Sequence, residues 1–70
     1  MITIFYHYFS TKERRWLSAE KSFTNVRKAV AFCWAIKKDT NLLLDGWGCY
    51  DHEDSDYMSR CVNIQYINKH

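Results

Sequence analysis

Cys49 and His52 stand three positions apart, and Cys61 follows on the C-terminal side. A thiol and an imidazole so placed are potential zinc ligands. Structural zinc, however, takes four Cys or His donors, usually as two tight pairs. Here one pair is tight and the second has no partner, with His70 at the chain end as the remaining donor. A frayed end is a poor ligand, so no metal is expected. Cys49 and Cys61 then read as small apolar strand residues, and His52 as a solvated loop residue. The acidic run beside them also fails as a calcium loop. Counted from Asp51, position 5 is Ser55, position 6 is Asp56 instead of Gly, and position 12 is Val62 instead of Glu.

Nucleophilic catalysis needs Cys or Ser beside a base that a third group orients. Cys33 falls on an apolar helical stripe, where thiols are usually inert. A meeting of Cys61 with His7 across a sheet, or of His7 with Arg14 and Arg15 in a small nuclease, is chemically conceivable. No spacing in the sequence argues for either. Nucleotide-binding, zinc-protease and serine-hydrolase signatures are absent. The chain is therefore read as a non-enzyme that needs no cofactor.

Two groups of residues are left that could bind a partner. Asp51, Glu53, Asp54 and Asp56 place four acids in six residues, bracketed by Tyr50 and Tyr57. On an exposed turn they would mimic a row of phosphates, with the tyrosines as anchors. The bland reading is a soluble turn closed by a tyrosine pair. The second group is basic. Lys12, Arg14, Arg15 and Lys21 fall in the first third of the chain, where Trp16 offers a stacking ring. Arg27, Lys28 and Lys38 share a helical face with Ala31 and Ala35. That set would suit a nucleic acid, although the acidic run would repel a long polyanion. The charges divide along the chain. Residues 1–40 carry eight Lys or Arg against three acids, for +5, and residues 41–70 carry two against five, for −3.

The elements that must position these groups follow from periodicity. Ile2–Phe9 is β-branched and aromatic throughout and reads as a strand with two apolar faces. Ser10-Thr11-Lys12-Glu13 fits either a helix-capping box or a hairpin turn. The hairpin, with a return strand from Arg15 to Phe23, is preferred because so apolar a strand needs an immediate neighbour. Asn25–Lys38 has a helical period, with Val26, Ala29, Val30 and Cys33 as the inward stripe and Ser22 or Thr24 as its cap. Leu42–Tyr50 reads as a strand bulged around Gly46-Trp47-Gly48. Asp51–Asp56 would be a turn, and Tyr57–Asn68 a last strand by its alternation. The expected fold is an α+β ββαββ domain, with an antiparallel sheet of about four strands packed on one helix.

Composition bounds the rest. Seventy residues make one domain, 1–70, with a marginal core. Twelve aromatic residues cannot all be hidden in it. One helix cannot cover the sheet, so an aromatic sheet face is left for solvent, a partner or a second copy as a homodimer. No apolar run is long enough to span a bilayer. The N-terminus lacks a basic leader, and three widely spaced cysteines suit a reducing cytoplasm. Compactness, aromatic richness and absence of chemistry are the style of accessory proteins of phages and mobile elements. The expectation is a noncatalytic interaction protein that modulates or inhibits a protein or nucleoprotein partner in the host cytoplasm, such as a CRISPR nuclease complex acting in defence. The alternative is a small nucleic-acid-binding module using the basic first hairpin and the outer helix face.

Overall fold

β1 (Ile2–Ser10) runs through the centre of a three-stranded sheet of order β2-β1-β3, antiparallel to both neighbours. The computed structural model describes residues 1–63. β2 (Arg15–Phe23) returns directly from β1, so the hairpin reading holds. The capping-box reading, with a short helix through Trp16, is overturned; only one of its contacts survives, inside the hairpin turn. The turn between the strands is one helical turn in which the Glu13 amide donates to the Ser10 hydroxyl at 3.2 Å and the Arg14 amide to the Ser10 carbonyl at 2.7 Å. Arg14 takes a left-handed φ of 55° to rejoin the strand, a conformation costing roughly 1 kcal/mol in a residue with a Cβ.

α1 (Val26–Lys38) crosses from β2 to β3 over β1. Its cap is Asn25, whose side-chain oxygen accepts from the Arg27 and Lys28 amides at 2.9 and 3.3 Å. Ser22 and Thr24 do not cap it, because Ser22 is still in β2, bonded across to Thr3 at 3.0 Å. The buried stripe is Ala29, Cys33 and Ile36, while Val30 is only half-buried. β3 (Leu42–Cys49) is bulged, but at Asp45 and not around Gly46-Trp47-Gly48: Leu44 pairs with Tyr6 and Gly46 with Phe5, leaving Asp45 as the extra residue, and the strand ends one residue before Tyr50.

The last expected elements are overturned. Asp51–Asp56 is not a turn and Tyr57 does not begin a strand: His52–Cys61 is a second helix, α2. Among the described residues the order is therefore β-β-α-β-α, with three strands and two helices in place of four strands and one. The remainder of the expected last strand, residues 64–68, lies outside the described residues. Asp51 caps α2 by accepting from the Glu53 and Asp54 amides at 2.8 and 3.3 Å. Glu53 and Asp54 occupy its first turn and Arg60 its last, matching the helix dipole at both ends.

Both helices pack on one sheet face. Antiparallel partners point to the same side, so Ile2, Ile4, Tyr6 and Tyr8 face the helices together with Cys49, Trp47, Leu44 and Leu42 of β3. The core joins Ile2, Ile4, Trp47 and Cys49 to Ala29, Cys33, Ile36, Met58 and Val62. β2 adds mainly Phe23. Its ring meets Phe32 at 5.3 Å, and Phe32 meets Tyr6 edge-on at 5.4 Å. The opposite sheet face has no helix over it among the described residues.

Candidate interaction surfaces

The uncovered face follows from the same register. His7, Phe9 and Phe5 of β1 point there, beside Trp16, Ser18 and Glu20 of β2 and Leu43 of β3. Toward the hairpin end it is apolar. Phe9 and Trp16 are cross-strand partners with ring centres 5.5 Å apart, and Trp16 and Leu43 are 42% and 54% exposed. Farther along it is concave. Phe5 lies opposite Gly46 and diagonal to Gly48, and neither glycine has a side chain to stand beside the ring. Neither has positive φ, so the strand geometry itself does not demand glycine here. A cavity of about 200 Å³ is lined by Phe5, Ser18, Glu20 and Asp45. A second hollow, lined by Thr3, Gly48 and Tyr50, shares Phe5 and Glu20 with it. The two form one groove. Neither Glu20 nor Asp45 has an ion pair among the described residues.

The acidic residues foreseen as a partner-binding tip are already employed in the fold. Asp51 is a cap, Glu53 and Asp54 compensate the helix dipole, and Asp56 lies 3.6 Å from His52 one turn back. Tyr50 and Tyr57 do not close a hairpin. Tyr50 is 70% exposed on the rim of the sheet groove, whereas Tyr57 is half-buried with the Arg27 guanidinium 6.0 Å above its ring. Replacing Asp51 with Ala should cost about 1 kcal/mol through the lost cap. That corresponds to a melting temperature lower by roughly 4–8 °C, measurable by circular dichroism.

The basic set is divided as well. Arg14 is in the turn, and Arg15 pairs with Glu13 at 3.2 Å. Trp16 faces the open side of the sheet, while Arg27, Lys28 and Lys38 ride on α1 in the other layer. Lys21 faces the helices, its ammonium 5.4–5.6 Å from the Phe32 and Phe23 rings, where it shields the edge of the aromatic cluster. The sequence reading also passed over Trp34. It lies on the outer face of α1, 47% exposed, with the Lys37 ammonium 4.7 Å above its ring. The spacing of Arg27, Ala31, Trp34 and Lys38 by four, three and four residues was the available signal.

The thiol and imidazole groups separate on folding. Cys49 points inward and donates to the Asp51 carbonyl at 3.2 Å, whereas the His52 side chain is 92% exposed. His7 is on the open face and Cys61 packs against the core on the other side of the sheet. Among the described residues no three His, Cys, Asp or Glu side chains gather as metal ligands. Burial pushes the Cys33 thiol up to about 11, against a slight lowering by Lys37, so it is protonated at neutral pH. The Cys49 thiol is raised too, chiefly by burial. Among the described residues, no helix is long and apolar enough to cross a membrane. No family model, curated protein or solved structure matches the chain. What stands is a two-layer α+β unit with one sheet face that no helix covers among the described residues.

Proposed function

We propose that the chain is a noncatalytic binding module that modulates a protein partner through its uncovered sheet face. The observation that supports this most is the pairing, on that one face, of an exposed apolar end with a groove between two carboxylates that have no ion pair among the described residues. Phe9, Trp16 and Leu43 supply rigid apolar area at low entropic cost. The groove has anionic walls, which suit the charged head of Lys or Arg. The fitting partner is a protein segment that presents an apolar anchor next to a basic side chain. Glu20 and Asp45 would steer its approach and fix its orientation more than they would set its affinity. The α2 acids are a weaker candidate, because the helix end already uses them. Modulation by occlusion, as by a small accessory inhibitor, is consistent with a module that has contact surface and, among the described residues, no assembled catalytic group.

The test uses nuclease-treated bacterial lysate and immobilised protein. Wild type should capture a partner that Trp16→Ser with Leu43→Ser loses and that Glu20→Gln with Asp45→Asn holds at least tenfold more weakly. Gly48→Thr fills the groove from a β-favouring residue, so it should weaken capture while the fold is kept. Each variant is first checked by circular dichroism. Capture unchanged by all of these, yet lost on neutralising Glu53 and Asp54, would overturn the assignment in favour of the acidic helix.

A further inference from the structure

The outer face of α1 is a second surface, independent of the sheet groove. Arg27 and Lys38 lie on it close to the line of Trp34, Lys28 and Lys37 lie on its two opposite flanks about 180° apart around the helix, and α1 contains no acid. None of these four cations is in an ion pair among the described residues. The close contacts to carboxylates there are the Arg15 guanidinium with Glu13 and the His52 imidazole with Asp56. The nearest acid in sequence, Asp39, is engaged by the Asn41 amide at 2.8 Å. Between the two basic ends lie Ala31 and Ala35, both exposed and short enough to admit a close backbone. Trp34 stands beside them with nearly half its surface in water.

Four cations on the solvent-facing half of α1, none of them in an ion pair among the described residues, attract a polyanion. From Arg27 to Lys38 the helix rises about 16 Å at 1.5 Å per residue, long enough to lie along several phosphates of a strand. An exposed indole amid cations is the combination that binds single strands: phosphates are neutralised along the groove or ridge, and a base stacks on the ring. The acids of α2 are the counter-charge on the neighbouring element. Arg27, which reaches back over Tyr57 of that helix, is the cation they screen most. Lys28, Lys37 and Lys38 are the stronger contributors. We infer that the α1 outer face, centred on Trp34 and flanked by Arg27, Lys28, Lys37 and Lys38, is a sequence-tolerant site for single-stranded nucleic acid.

Fluorescence anisotropy with labelled 15-nucleotide single strands of RNA and DNA, and with a duplex of the same length, provides the test. Wild type should bind the single strands at low salt and prefer them to duplex. Four neutralised phosphates imply a salt slope near −3 on logarithmic axes, so affinity should fall roughly 50-fold between 50 and 200 mM salt. Neutralising Arg27, Lys28, Lys37 and Lys38 to Gln should abolish binding. Trp34→Ala should lower single-strand affinity about tenfold. Lys12→Gln with Arg14→Gln, on the far hairpin, should change it less than threefold. Absence of binding at 20 mM salt would overturn the inference. So would preference for duplex, an equal response to the hairpin and helix variants, or binding to anionic phospholipid vesicles with none to oligonucleotides. The sheet-face variants do not touch this surface, so the two assignments fail separately.

Discussion

Replacing Trp47 with Ala should leave most molecules unfolded at 25 °C. Trp47 is fully buried between β1 and the helices, paired with Ile4 and in one cluster with Ile2, Cys33, Ile36 and Met58. Removing a buried indole costs about 3–5 kcal/mol, partly through lost transfer energy and partly through the cavity left behind. A core of this size rarely supplies more than that in total. Urea titration followed by far-ultraviolet circular dichroism should therefore show no native baseline for Trp47→Ala. Trp16→Ala and Trp34→Ala remove rings that are nearly half exposed. Both should keep a cooperative transition, with losses of about 1 kcal/mol or less. A cooperative transition in Trp47→Ala close to that of wild type would mean that β3 is wrongly placed in the core.

The second large effect concerns the register of α1. Cys33 is completely inaccessible, whereas Val30 is half-buried. Cys33→Asp would require an uncompensated carboxylate in the core, or its neutralisation there, at a cost of several kcal/mol. It should not fold at neutral pH. At Val30 an Asp can turn its carboxylate toward water, so that variant should fold with a melting temperature lowered by roughly 5–10 °C. The reverse order would place the inward stripe one residue position away. The thiol adds a pH signature. Its folded-state pKa of about 11 lies above the ordinary 9.0, so folding favours the protonated form. The stabilising contribution is complete below about pH 9 and is withdrawn as pH rises toward 11. Wild type should lose more stability than Cys33→Ala across that window, with lysine and tyrosine titration common to both.

The sequence by itself determined the hairpin, α1, and the bulged third strand. Each is specified by local chemistry: β-branched and aromatic alternation in Ile2–Phe9, a 3.6-residue period after Asn25, and the apolar run Leu42–Leu44 that opens the third strand, whose bulge falls at Asp45. It was ambiguous after Tyr50 for a definite reason. Met58 and Val62 are four residues apart, a spacing that satisfies both the two-residue period of a strand and the period of a helix. Arg60, awkward on the apolar side of a strand, lies on the solvent side of α2 without conflict. Asp51 followed by Glu53 and Asp54 was the available helix signal, masked by reading acids as a turn. The use of the surfaces was beyond local reading. Which side of β1 the helices cover depends on strand order β2-β1-β3 and on packing by two helices together. Only that packing decided that Trp47 is core and Trp16 is surface, although both stand in strands of similar character. Only strand pairing brought Glu20 and Asp45, 25 positions apart, to the walls of one groove over Phe5. Burial is a property of the assembled layers, and no window of neighbouring residues contains it.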